Sequence, residues 1–274
     1  MNVVKWGATL GKEPQNFLGA KWIQAFLKRV PESKKHLWAL RILSLSPHYF
    51  LEGDNPKYSG MSNEDYLHAS FNVNKISRED IYRKILKPYL KSDFEVLDYG
   101  CGPGFLAKAT APHVKKIYAV DISSGTIACA KIINSAENIE YIVSDKAGIE
   151  SVPDGKIDAV YSFAVIQHLT DKVFEIILEN CRRKLKPDGQ LILHIQLEDN
   201  IWQTEEYWQN GKSIKSKIKY QYGLHCFGRS EREYTEIVSQ HRFGDIKIKK
   251  IEGYSEEYAD ELDSQRILTA RKKS

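Results

Sequence analysis

Between Phe94 and Gln196 the chain alternates short apolar runs with helical ones, and that alternation narrows the fold more than any other feature. Residues 94–98, 117–121, 139–145, 157–163 and 191–196 read as strands. A glycine-rich turn with a helix follows the first, and 125–135 and 172–185 read as further helices. Strands separated by helices pair in parallel through right-handed crossovers, which puts helices on both faces of one sheet. Lys186-Pro187-Asp188-Gly189 carries turn chemistry and is expected to stop the helix before the fifth strand.

The flanks differ in kind. Trp22, Ile23, Phe26 and Leu27 recur at helical spacing, as do Leu37, Trp38, Ile42 and Leu45, with Pro31 and Pro47 bracketing the second group. A polar stretch over 52–63 precedes an expected helix at 78–90. Residues 1–90 therefore read as an N-terminal helical cap, and 91–274 as an α/β domain. That domain carries a polar and aromatic insertion at about 198–228, holding Trp202, Tyr207, Trp208, Tyr220, Tyr222, His225 and Phe227 among Lys212, Lys215, Lys217 and Lys219. The expected ending is a helix at 230–239, strands at 245–251 and 266–270, and an ordinary loop between those strands.

The net charge of +4 is mild and its Lys and Arg are dispersed, which argues for a solvated mixed surface over a nucleic-acid footprint. The four cysteines form no Cys-x-x-Cys pair, so neither a metal site nor a disulfide framework is expected, and the usage suits a reducing cytoplasm. Residues 1–14 lack an apolar signal core, and no run reaches the ~18 apolar residues of a membrane span. The expected location is the cytoplasm.

The chemistry concentrates in Val96-Leu97-Asp98-Tyr99-Gly100-Cys101-Gly102-Pro103-Gly104. It lies where a parallel sheet offers the carboxyl end of its first strand, the usual ligand crevice. Its glycines permit a sharp turn and close approach to a ligand, and the next helix presents free N–H groups to a carboxylate. Phe105 stands where a dinucleotide fingerprint needs its third glycine. Asp98 would be awkward beside a pyrophosphate but suits an ammonium and a sulfonium. Asp121, about twenty residues on, is placed to accept hydrogen bonds from ribose hydroxyls.

The run from Asp98 to Gly104 resembles the first motif of class I S-adenosylmethionine-dependent methyltransferases, and the likeness extends over about 94–196. It implies a Rossmann-like, mostly parallel seven-stranded sheet whose last strand is antiparallel and lies beside the sixth. It implies S-adenosylmethionine as cofactor, with Asp98, Gly100, Cys101, Gly102 and Gly104 around its methionine part and Asp121 on the ribose. Ile122 would pack on the adenine face, Asp145 and the Lys146 N–H would meet the adenine edge, and Phe163 and Ala164 would line the cofactor by backbone. Ser162 to Leu169 resembles the fourth motif of small-molecule methyltransferases, which makes His168 the candidate general base or, alternatively, an orienting or substrate-binding group. The chain lacks both the Asn/Asp-Pro-Pro-aromatic sequence of nucleic-acid amine methylation and a Pro-Cys nucleophile. The expected reaction is methyl transfer to an O, N or C nucleophile of a small molecule, with the aromatic insertion closing over it. An RNA methyltransferase, read from the Lys212–Lys219 run, and a cofactor-binding scaffold without catalysis are the alternatives. Contact of residues 21–45 with a membrane surface ranks below both.

Overall fold

Seven strands form one sheet: β1 (Glu95–Tyr99), β2 (Lys116–Asp121), β3 (Ile139–Val143), β4 (Ile157–Ser162), β5 (Leu185–Gln196), β6 (Phe243–Lys250) and β7 (Gln265–Lys272). The computed structural model describes residues 21–45, 58–144, 149–198, 226–251 and 264–273, with Thr204, Glu206 and Asn210. Spatial order is β3-β2-β1-β4-β5-β7-β6. The first five strands pair in parallel, and β7 runs antiparallel between β5 and β6. Val96, Leu97, Ala119, Val120, Ala159 and Val160 are all fully buried. Burial on both faces explains why these strands read as continuous apolar runs rather than alternating ones.

Helices α1 (Lys21–Arg29), α2 (Glu32–Leu43), α3 (Asn63–Ile81), α4 (Phe105–Thr110), α5 (Ser124–Ile133), α6 (Asp171–Lys184) and α7 (Glu231–Gln240) complete the layers. On one face Leu97, Val160 and Leu191 pack with Phe174, Ile177 and Leu178 of α6 and Tyr234 and Val238 of α7. On the other, Val96, Ile117 and Ala159 meet Leu106 and Ala107 of α4 and Ile127 and Ala130 of α5. The N-terminal helices extend that second layer, since Ile23, Leu27, Leu40, Leu43 and Leu67 share a core with Phe105, Cys129 and Ile133. Ser123, Thr170 and Ser230 cap α5, α6 and α7, the last through a reciprocal capping box with Glu233.

Three details depart from the sequence reading. The helix expected at 78–90 is the end of α3, which starts at Asn63 behind a Ser62 cap and runs into a π turn (Tyr82–Leu86) and a 3-10 turn (Lys87–Tyr89). Of the nineteen residues of α3 only Leu67, Ser70, Ser77 and Ile81 are buried, so its apolar stripe is too thin to read. The turn at 186–189 lies inside β5 rather than before it. Leu185 pairs with Ile157 and Gln190 with Ala159, so four residues loop out, with Asp188 at φ 58°. Burial of Leu185 recruits it to the sheet ahead of the turn. Finally, β6 starts at Phe243 rather than at residue 245, with a register shift between Gly244 and Lys247. Exposed Lys247, Lys249 and Lys250 line this edge strand, a pattern that discourages edge-to-edge pairing.

One buried cation ties the back of the sheet. Lys184, 1% exposed at the end of α6, donates to the Val152 carbonyl and to Asp154 Oδ1, each at 2.6 Å. Lys184→Met keeps the stem but removes the donor from a buried carbonyl. Urea denaturation is expected to show a loss of about 1–3 kcal/mol, the scale of an unmade buried hydrogen bond, with the fold retained.

Candidate functional site

The strand order reverses at β1, whose neighbours β2 and β4 connect in opposite directions, and the crevice at such a switch point is where open α/β sheets bind ligands. The glycine loop leaves β1 there. Gly100 and Cys101 both donate to the Val120 carbonyl, at 2.8 and 2.9 Å, so the loop folds back over β2. Gly100 (φ 78°) and Gly104 (φ 80°) sit in the left-handed region. A Cβ on Gly100 would lie 2.5 Å from Val165, and one on Gly104 would lie 2.2 Å from the Tyr141 hydroxyl. Glycine is required at both positions by conformation and by space.

Asp121 closes the loop from β2. Its Oδ2 accepts from the Gly102 N–H at 3.0 Å and its Oδ1 from the Ser123 N–H at 2.8 Å. One carboxylate thus joins the glycine loop to the start of α5, while Ser123 independently caps that helix through Thr126 N–H. Just beyond, Ile122 is 59% exposed, and Val143, paired with Asp121 across β3, is 42% exposed. These apolar side chains border the crevice; Val143 was not singled out in the sequence. Asp145 and Lys146 lie outside the described residues.

Asp98 sits directly across from Tyr161 of β4. It is 2% exposed, and its Oδ2 has no hydrogen-bond partner among the described residues. The Tyr161 hydroxyl and the Thr110 hydroxyl are likewise buried and unpaired. Burial pushes the Asp98 carboxyl up to about 8, with the neighbouring Tyr161 hydroxyl opposing the shift and the Asp121 charge adding to it. Cys101 turns its thiol into the core beneath the loop, where burial raises its pKa. A buried carboxyl with an orphaned oxygen fits a cationic ligand group that would both pair with it and ionise it.

The β4 end forms the opposite wall. Phe163 stacks on His194 of β5 with centroids 4.3 Å apart. Ala164 is exposed, adopts φ 59°, and donates its N–H to His194 Nδ1 at 3.2 Å. His168 lies in the 3-10 turn that follows (Ile166–His168), half-buried, with Nδ1 3.8 Å from Cys226 Sγ. The segment after the insertion is fastened to this loop. Phe227 N–H donates to the Gln167 carbonyl at 2.6 Å, and buried Arg229 reaches Asp171 Oδ1 and the Leu169 carbonyl, each at 2.6 Å. Leu197, at the end of β5, bridges Arg229. Of the aromatic insertion residues only Phe227 is described; Trp202, Tyr207, Trp208, Tyr220, Tyr222, His225 and Lys212, Lys215, Lys217 and Lys219 lie outside the described residues.

The structure thus brings Asp98, Gly100, Cys101, Gly102, Gly104, Asp121, Ile122, Phe163, Ala164 and His168 to one sheet edge. Sequence reasoning missed Tyr161 and His194. Tyr161 becomes visible only with the strand register, whereas a histidine inside Leu191-Ile192-Leu193-His194-Ile195 was a signal that could have been read.

Comparison with known proteins agrees with this geometry. A family model described as a methyltransferase domain matches residues 97–193. The ubiquinone biosynthesis O-methyltransferase of Xanthomonas campestris is 30% identical over 100 residues, covering 36% of this chain and 41% of that protein. The Rickettsia akari enzyme of the same name is 28% identical over 191 residues, 66% of this chain and 70% of that one. The match therefore spans less than half of the Xanthomonas protein's length. Among solved structures, an S-adenosylmethionine-dependent methyltransferase from Mesorhizobium loti aligns with a TM-score of 0.56 at 16% identity, over 70% of this chain and 98% of its own. A Haemonchus contortus phosphoethanolamine N-methyltransferase 2, solved with S-adenosyl-L-methionine, aligns at 0.51 and 18% identity, over 79% and 61%. At such identities the solved structures speak for the fold. By this match residues 97–193 form a methyltransferase domain, set in a fold shared with solved S-adenosylmethionine-dependent methyltransferases.

Proposed function

We propose that the chain binds S-adenosylmethionine at the carboxyl edge of β1, β2 and β4 and transfers its methyl group to a small-molecule nucleophile. The observation that carries this reading is Asp98, a buried carboxyl just before the glycine loop with an oxygen that lacks a hydrogen-bond partner among the described residues. Asp98 would hold the ammonium of the methionine part, Asp121 the ribose hydroxyls, and Ile122 with Val143 the adenine face. When bound, the cofactor supplies an electrophilic methyl that already carries its leaving group. The protein's work is to align an acceptor and exclude water. His168, on the loop after β4, is the candidate to take the acceptor's proton. The anchored Phe227–Arg229 segment supports placing the acceptor beneath the insertion, because it fixes the insertion's far end against that same loop. The small-molecule assignment also draws on the relatives named for O-methylation in ubiquinone biosynthesis, so an oxygen acceptor is favoured.

Calorimetry is expected to give micromolar affinity for S-adenosylmethionine, about −8 kcal/mol, with Asp121→Ala weaker by about 1–3 kcal/mol. Absence of binding would refute the reading. Incubation with methyl-labelled cofactor and fractionated extract should place label in the small-molecule fraction; label in RNA would overturn the acceptor class.

Asp98 gives a pH signature with a definite sign. The unfolded chain releases this proton near 4, the folded ligand-free chain near 8. Between those values the folded state holds the extra proton, so the Asp98 contribution to stability falls as pH rises. Asp98→Asn is expected to raise the Tm of the ligand-free protein more at pH 8 than at pH 5. Wild-type cofactor affinity should climb from pH 6 to pH 8 as ionisation becomes easier, and should be weak and flat in the variant. A wild-type affinity that does not change over this range would remove Asp98 from the ammonium site.

With an acceptor in hand, His168→Ala should lower kcat about 10²-fold or more while cofactor affinity stays within about twofold. An unchanged kcat would leave His168 as a packing partner of Cys226.

A further inference from the structure

The β4 edge poses a question that the cofactor reading leaves open. Ala164 occupies the left-handed region, with φ 59°, where a residue with a Cβ is strained. Its neighbour Phe163 is only half-buried. Ala164 would not hold this geometry by local preference. His194, on β5 and 2% exposed, contacts both. Its ring stacks on Phe163, 4.3 Å between centroids and 22° between planes. Its Nδ1 accepts the Ala164 N–H at 3.2 Å. That bond assigns the remaining ring proton to Nε2, which then donates to Gln265 Oε1 at 3.0 Å, on β7. A three-strand relay therefore runs from β7 through β5 to the rim of the crevice.

We propose that His194, backed by Gln265, is a positioning pair that holds the Phe163–Ala164 edge in its ligand-facing conformation, and that it works only as a neutral imidazole. The inference rests on the reading that this edge lines the cofactor. The chemistry is one of donor and acceptor matching. Protonated His194 would carry a hydrogen on Nδ1, and two N–H donors would then face each other across 3.2 Å. The surroundings keep the ring neutral. Burial lowers its pKa to about 4, the Gln265 hydrogen bond opposes that shift, and the Arg78 charge adds to it. Phe163, Ala164 and Gln265, which contact the ring, bring no charge. A neutral amide at position 265 serves this purpose where a carboxylate would not, since a carboxylate beside Nε2 favours the imidazolium.

Three variants of the full chain test the pair, read by calorimetric titration of S-adenosylmethionine at several pH values and by nitrogen NMR of the histidine ring. His194→Leu removes acceptor and stacking partner and should weaken cofactor binding about tenfold. His194→Gln can still accept from Ala164 and donate to Gln265, and should recover affinity to within about threefold of wild type. Gln265→Glu should raise the ring's pKa, show a doubly protonated imidazole by NMR near pH 6, and lose more affinity than wild type between pH 8 and pH 6. If His194→Leu does not fold, His194→Gln and Gln265→Glu carry the test. Wild-type binding with unchanged affinity in all folded variants would overturn the proposal, as would equal weakening in His194→Gln and His194→Leu with no extra pH dependence in Gln265→Glu. Failure of the wild type itself to bind would instead refute the cofactor reading.

Discussion

Because β1 is walled by β2 and β4 and covered on both faces, its backbone can leave the sheet only at the carboxyl end, and everything functional hangs from that exit. The loop that follows has no room for side chains at Gly100 or Gly104, and its amides are spoken for by the Val120 carbonyl and the Asp121 carboxylate. Asp121 therefore has a structural role of its own. Through two backbone N–H groups it makes the glycine loop and the start of α5 a single rigid floor. Preorganisation of this kind lowers the ordering cost that a ligand would otherwise meet on binding.

The same floor holds a liability. A carboxyl at Asp98 with an oxygen that lacks a hydrogen-bond partner among the described residues destabilises the ligand-free fold once it ionises. Local rules break at functional positions and are kept elsewhere. Here the breach lies beside buried Tyr161 and Thr110 hydroxyls that lack a hydrogen-bond partner among the described residues, whereas the buried ammonium of Lys184, away from the crevice, is met by the Val152 carbonyl and the Asp154 carboxylate. The contrast separates a buried polar group whose partners lie within the fold from one whose partners do not.

Much of this was legible in the sequence, for identifiable reasons. Doubly buried strands write themselves as apolar runs, and the glycine loop and Asp121 lie at fixed chain distances from the strands they follow, so spacing alone located them. The loop-out at 186–189 escaped because turn residues announce a turn without saying whether pairing has already begun, and here Leu185 had joined Ile157. The start of α3 escaped because a helix resting on the rim of the molecule needs few apolar residues. Tyr161 escaped for a deeper reason: its place depends on which residue stands across the neighbouring strand, and register is a property of pairs of segments.

Leu197 and Arg229 bridge one another, and Glu198 N–H donates to the Arg229 carbonyl at 3.2 Å, so the chain departs and returns at nearly one point beside the His168 loop. Closing a loop whose ends are already adjacent is cheap to vary: doubling its length costs only about 0.6 kcal/mol in closure entropy. Arg229, clamped to Asp171 and the Leu169 carbonyl, makes that junction independent of whatever is strung between its two sides. The junction is in effect a socket, through which evolution or an engineer can exchange one intervening segment for another while the glycine-loop side of the molecule stays as it is.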